Sequence, residues 1–158
     1  MIKGIHHIAI HTPDLERTSI FYRDAFGFVP VGEVFEWQGS VEIDAALGVS
    51  GSRARTQMLN AGNCFIEVFQ YASPPSRVKQ PLAPNDRGYT HFAIDVIDIE
   101  AEMVRLEQLG MRFASGQPLD GGTVKSVYGY DLDGNVVELQ ELSVDHPAYA
   151  GLSKIDSN

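Results

Sequence analysis

The chain repeats itself, and that constrains its fold more than any other feature. Residues 5–15 set over 89–99, an offset of 84, superpose His7 on His91, Ala9 on Ala93, Ile10 on Ile94 and Asp14 on Asp98. Leu15 then falls on Ile99 and Glu16 on Glu100. With one residue fewer in the second copy, Phe26-Gly27-Phe28 lies over Leu109-Gly110-Met111. The copies also close alike, Asn63-Cys64-Phe65-Ile66-Glu67-Val68 against Asn135-Val136-Val137-Glu138-Leu139. One supersecondary unit has been used twice.

Each copy reads as βαβββ. A strand alternating apolar and polar residues is expected over 5–11 and again over 89–96. Asp14, helped by Pro13, and then Asp98 open helices. Leu15, Ile20, Phe21, Tyr22 and Phe26 form the apolar stripe of the first helix; Ile99, Met103, Leu106 and Leu109 form that of the second. Gly27 and Gly110 stand where a left-handed cap is expected. Further strands are expected near 28–37, 55–60 and 64–70, then near 111–115, 124–130 and 135–141. The last two are joined by a turn at Asp131-Leu132-Asp133-Gly134-Asn135. Residues 38–54 are an insertion with a short helix near Asp44–Leu47. Four prolines mark 72–87 as a linker between modules of about 1–71 and 88–142. The tail, 143–158, has no clear period. The fold class is α+β: two βαβββ modules forming a cupped mixed sheet with helices on its outer face.

Side chains alternate across a strand, so pattern assigns faces. Ile8, Ile10, Ile66, Val68, Phe92, Ile94, Val137 and Leu139 suit packing under helices. The opposite faces carry His7, Glu67, His91 and Glu138. A carboxylate in an apolar strand is costly to bury unless paired or bound to a metal. Two of them, at matching places and accompanied by matching histidines, point to one divalent ion: Zn, Ni, Co, Mn or Fe(II). Ala9 and Ala93, on the same face as the histidines, leave room for an ion and a ligand.

Composition narrows the partners. The chain has 158 residues and a formal net charge of -9. Such an acidic surface disfavours nucleic acid and anionic membranes, leaving small molecules. Its single cysteine, Cys64, rules out an intrachain disulfide and is expected to face the helices as a small hydrophobe. His6 and His7 interrupt the N-terminus before any signal-like apolar run, so a cytoplasmic location is expected.

Ile5-His6-His7-Ile8-Ala9-Ile10, Asp14-Leu15-Glu16 and Phe21 to Phe28 resemble the opening module of the vicinal oxygen chelate superfamily. The run from Asp131 to Leu139 resembles its closing motif. The resemblance covers residues 4 to about 142. It implies paired βαβββ modules, a homodimer, and a metal held by His7, Glu67, His91 and Glu138 that chelates two adjacent substrate oxygens. The ligand set is similar to that of bacterial glyoxalase I. Where that enzyme has an arginine and an asparagine for glutathione, this chain has His11 and Tyr71, which argues against glutathione. Methylmalonyl-CoA epimerases usually carry Gln at the place of Glu67. Extradiol dioxygenases use only three ligands, but have an active-site tyrosine at the place of Tyr128.

The expected function is a metal-dependent lyase, isomerase or epimerase that stabilises an enediolate, with Glu67 or Glu138 as base and Tyr128 nearby. A ring-cleaving dioxygenase and a metal-free binding or resistance protein are the alternatives. Arg53, Arg55, His11 and Tyr130 are the candidate substrate contacts, and Phe65 and Phe69 a candidate apolar wall.

Overall fold

The computed structural model describes residues 1–153; residues 154–158, the end of the tail, lie outside the described part. The chain divides into two compact units, one built on Met1–Lys79 and the other on Gln80–Leu152. No described helix is long and apolar enough to cross a membrane.

In the first unit β1 (His7–His11) is followed by α1 (Leu15–Phe26), β2 (Val29–Gln38), α2 (Val41–Leu47), β3 (Arg53–Asn60) and β4 (Phe65–Ser73). Its sheet runs β1-β4-β3-β2, with β1 parallel to β4 and the other pairs antiparallel. In the second unit come β5 (His91–Asp95), α3 (Ile99–Gln108), β6 (Arg112–Phe113), β7 (Leu119–Asp120), β8 (Val124–Tyr130) and β9 (Val136–Leu142). Here the order is β5-β9-β8-β6, with β5 parallel to β9 and the short β7 added on β8. The two topologies match, as the repeat requires. The strand expected over 111–115 shrinks to two residues, and β7 was not anticipated.

Both units fasten the helix to the sheet by the same devices. Asp14 and Asp98 are the N-caps, accepting from the backbone N–H groups of Arg17 and Ala101. Asp98 does so from a left-handed backbone, φ 59, which aspartate tolerates better than most residues. The first helical N–H of α1 is satisfied by Gln70 and that of α3 by Glu141, equivalent positions on β4 and β9. Across the same face, Arg55 on β3 pairs with Glu16 of α1, and Lys125 on β8 pairs with Glu100 of α3.

The helix stripes differ from expectation in two places. Ile20 is about half exposed, and Thr18 is buried instead, its hydroxyl 2.7 Å from that of Thr12. The buried positions Leu15, Thr18, Tyr22 and Ala25 follow the helical period better than a stripe through Ile20. Leu109 is also partly exposed, because α3 stops at Gln108 and Leu109 is its C-cap. Gly110 follows at φ 102, and Gly27 caps α1 at φ 73. The cores lie between helix and sheet, around Tyr22, Leu59, Ile66 and Val68 in one unit and Ile99, Leu106, Val137 and Leu139 in the other. The described tail, 143–153, forms turns and no regular element.

Candidate metal centre

The parallel pairing at each sheet edge places a histidine and a glutamate in identical relation. Ala9 lies beside Glu67 and Ala93 beside Glu138, with His7 and His91 two residues earlier on the same faces. A methyl group at the position next to each glutamate leaves the space across which the imidazole reaches. His7 Nε2 is 3.3 Å from Glu67 Oε2, and His91 Nε2 is 3.3 Å from Glu138 Oε2. Both glutamates are largely shielded, at 19% and 17% exposure, while the imidazoles remain open at 41% and 30%.

Each pair by itself has the spacing of two donors on one cation. With ligand bonds of about 2.1 Å, two donors on one ion stand about 3.0 Å apart at a right angle and about 3.4 Å apart at the tetrahedral angle. The observed 3.3 Å falls between. It is long for a charge-assisted hydrogen bond, which settles at about 2.7–2.9 Å. The other imidazole nitrogens are engaged from behind: His7 Nδ1 lies 3.0 Å from His6 Nδ1, and His91 Nδ1 lies 3.0 Å from Thr90 Oγ1. Such an outer contact fixes the ring and leaves Nε2 as the atom that could ligate. Each unit by itself contributes two donors, and among the described residues no three His, Cys, Asp or Glu side chains form one metal-holding group.

Residues flanking the pairs differ between units. Glu67 Oε1 accepts from the Thr56 hydroxyl at 3.2 Å. Tyr128 stands across from Glu138 in the β8–β9 register, its ring edge-on to His91 at 5.1 Å. Tyr130 follows on the same face, opposite Val136. His11 shares the face of His7; its Nε2 accepts the backbone N–H of Tyr71 at 3.3 Å, and the two rings meet edge-on. Phe65 is stacked on His6, and Phe69 on Tyr71.

Arg55 is not brought to the Glu67 face. Its register partner is Gln70, on the helix side, where it is held by Glu16 and lies 3.9 Å from Glu36. The second unit repeats the arrangement with Lys125, so Arg55 ties helix to sheet on the face away from Glu67. Arg53 lies exposed at the start of β3. Cys64 is half-buried, and burial pushes its thiol up, away from nucleophilic use.

Sequence reasoning missed several supporting residues. Asp131 is buried and accepts from the backbone N–H groups of Asp133 and Asn135 and from the Asn135 amide, holding the turn that delivers β9. Thr56, His6 and Thr90 were missed as well. The polar residue just before each of His7 and His91 was the available signal for the last two.

Asp95, also overlooked, has a buried Oδ1 without a hydrogen-bond partner. Burial pushes its carboxyl up and Glu141 adds to this, while the Leu142 backbone N–H offsets part. A folded-state value above the unfolded one means that ionisation costs native stability. The cost is absent below the usual carboxylate range and develops as pH rises through the folded value. Asp95→Asn is therefore expected to raise Tm at pH 7, and the gain should be lost at about pH 3, below the usual carboxylate range. Scanning calorimetry at both pH values checks this, and an equal gain at both would contradict it.

The chain is similar to known proteins along most of its length. Protein YaeR of Escherichia coli (strain K12) is 32% identical over 142 residues, covering 89% of this chain and 97% of that protein. An ethylmalonyl-CoA/methylmalonyl-CoA epimerase of Cereibacter sphaeroides is 28% identical, covering 90% of this chain and all of the enzyme. A glyoxalase family protein from Bacillus cereus shares the fold with a TM-score of 0.79 at 19% identity, over 90% of this chain and 95% of that structure. Residues 4–139 match the family model, and the chain belongs to the Glyoxalase/Bleomycin resistance protein/Dioxygenase superfamily.

Proposed function

We propose that the chain is a divalent-metal-dependent lyase, isomerase or epimerase that removes a proton from a carbon beside two adjacent substrate oxygens. The observation that carries this reading is the twin His–Glu pair, each with its donor atoms 3.3 Å apart. His7, Glu67, His91 and Glu138 would hold one ion, with the two pairs supplied by one chain or by two copies in a homodimer. Such an ion supplies Lewis acidity that makes the neighbouring C–H bond acidic.

The base is then a carboxylate of this chain. Glu67 is engaged on both oxygens, by His7 and by Thr56. Glu138 is engaged only by His91 among the described residues, so it is the freer of the two and takes the proton from carbon. Delivery of a proton to the opposite face of the same carbon, for which Glu67 is the acid, gives epimerisation; return by Glu138 to the neighbouring carbon gives isomerisation. Tyr128, edge-on to His91, keeps that imidazole in place. The similarity to an epimerase over the whole of its length supports this chemistry.

Calorimetric titration with Mn, Ni, Zn and Fe(II) is expected to show one ion bound per chain. Absence of uptake for all four would overturn the proposal in favour of a metal-free binding protein. The ring of Tyr128 beside His91 favours a second reading, a ring-cleaving dioxygenase. Oxygen consumption with catechol by the Fe(II)-loaded protein would select it.

A further inference from the structure

The open face of the first sheet carries rings that the module itself does not require. Tyr71 is central among them. It stacks on Phe69 with centroids 5.6 Å apart, and meets Trp37 at 6.0 Å and His11 at 5.7 Å edge-on. Phe35 stacks in turn on Trp37 at 5.8 Å. Strand register puts these on the Glu67 face: Met58 pairs with Glu67, Thr56 with Phe69 and Ala54 with Tyr71.

The second unit offers an internal control. By the same register, its β9 positions equivalent to Phe69 and Tyr71 are Gln140 and Leu142, and the β5 position equivalent to His11 is Asp95. That unit builds the same sheet, helix clamps and His–Glu pair without a ring at any of the three. The fold therefore does not explain the rings.

Ordinary core packing does not explain them either. Trp37 is buried, its indole N–H donating to Ser52 Oγ at 2.7 Å, and Ser52 is in turn bound by Asp44. The cover stops there. α2 buries none of its own residues, Phe69 and Tyr71 stay partly exposed, and Phe35 is 56% exposed. The Tyr71 hydroxyl has no hydrogen-bond partner among the described residues. Burial first, and then the charge of Glu67, push the phenol up, so it remains a donor at neutral pH.

We propose that this face is a subsite for a flat apolar ring on the substrate, stacked along Phe69 and Tyr71, with the Tyr71 hydroxyl donating to a substrate oxygen. The substrate class is thus an aryl-bearing hydroxy or keto compound. This rests on the reading that Glu67 marks the reacting end of the same face. An aromatic contact adds to the effect of area burial, so the ring together with its buried area should give roughly tenfold in affinity or more.

Trp37 is the only tryptophan in the sequence, so its emission reports on this face directly. Mandelate and phenylglyoxylate, titrated against their ring-free analogues lactate and pyruvate, are the probes, with and without added Mn or Zn. The ring-bearing acids are expected to alter Trp37 emission saturably and to bind about tenfold more tightly. Phe69→Leu should remove most of that preference. Tyr71→Phe should weaken all four probes about threefold to tenfold while leaving the preference standing. Circular dichroism checks that both variants are folded, and both should keep wild-type metal uptake. Equal binding of the two classes, or no binding of either aryl acid, would overturn the subsite. If metal uptake persists in that case, the metal reading survives; if uptake is lost while aryl binding remains, the reverse holds.

Discussion

His7→Ala and His91→Ala are each expected to weaken binding of a divalent ion by more than about 100-fold and to remove activity with it. Loss of an outer contact to a ligand already costs about 10–100-fold, so loss of the ligand itself must exceed that. The two residues lie in different units, 84 positions apart in the repeat, yet their pairs with Glu67 and Glu138 have the same 3.3 Å separation. If both pairs serve one ion, the two variants must fail alike. If only one pair binds, one variant fails and the other is near wild type, and the four-ligand proposal is lost.

Thr90→Ala should fall within the 10–100-fold range, because it removes only the contact behind His91. Calorimetry gives all three affinities. Mixing the two alanine variants then locates the site. In a shared homodimer one of two sites regains an intact His7 and His91, and binding partly returns. A site within one chain regains nothing.

Much of this was legible in the sequence, because it depended on local periodicity. The exchange from His7-Ile8-Ala9-Ile10 to Glu67 flanked by Ile66 and Val68 is visible as strand alternation, and the second copy repeats it. The helix caps at Asp14 and Asp98 are equally local. What was not legible required knowing partners far along the chain. Arg55 looked like a free cation near an insertion, but its partner Glu16 lies 39 residues earlier, on a helix crossing the opposite face. Alternation against Thr56 and Met58 would already have put Arg55 on the wrong side for a ligand; the repeat would have strengthened that by matching it to Lys125.

The ring cluster was hidden for a related reason. Phe35, Trp37, Phe69, Tyr71 and His11 come from three strands, and only the register of β2, β3, β4 and β1 brings them together. Two register shifts intervene, between Val31 and Phe35 and between Arg53 and Ala54, and no periodicity announces either. Tyr71 was noticed only as a departure from a family pattern. Its importance lies in what surrounds it.

Leu139→Ala is expected to lower stability by about 2–5 kcal/mol, the range for truncating a fully buried leucine. Leu139 has no exposed surface and lies in β9 between Ile94 of β5 and Val127 of β8. Its face is the one on which α3 packs, with Ile99 and Leu106 equally buried. Removal of three carbons leaves a cavity that a sheet paired on both sides cannot close by moving a strand. In a chain of this size the loss should appear as a fall in Tm of about 4–20 °C. Leu139→Met, which conserves volume, should cost less than about 1.5 kcal/mol. Leu139 immediately follows Glu138 and points the other way, so the two variants also separate packing from ligation. The methionine variant should retain metal affinity within about threefold of wild type, because so small a core loss leaves in place a carboxylate held by the β5–β9 strand pairing. A Leu139→Met chain that stays folded but loses the ion would show that Glu138 is positioned by the core beneath it and not by the β5–β9 register.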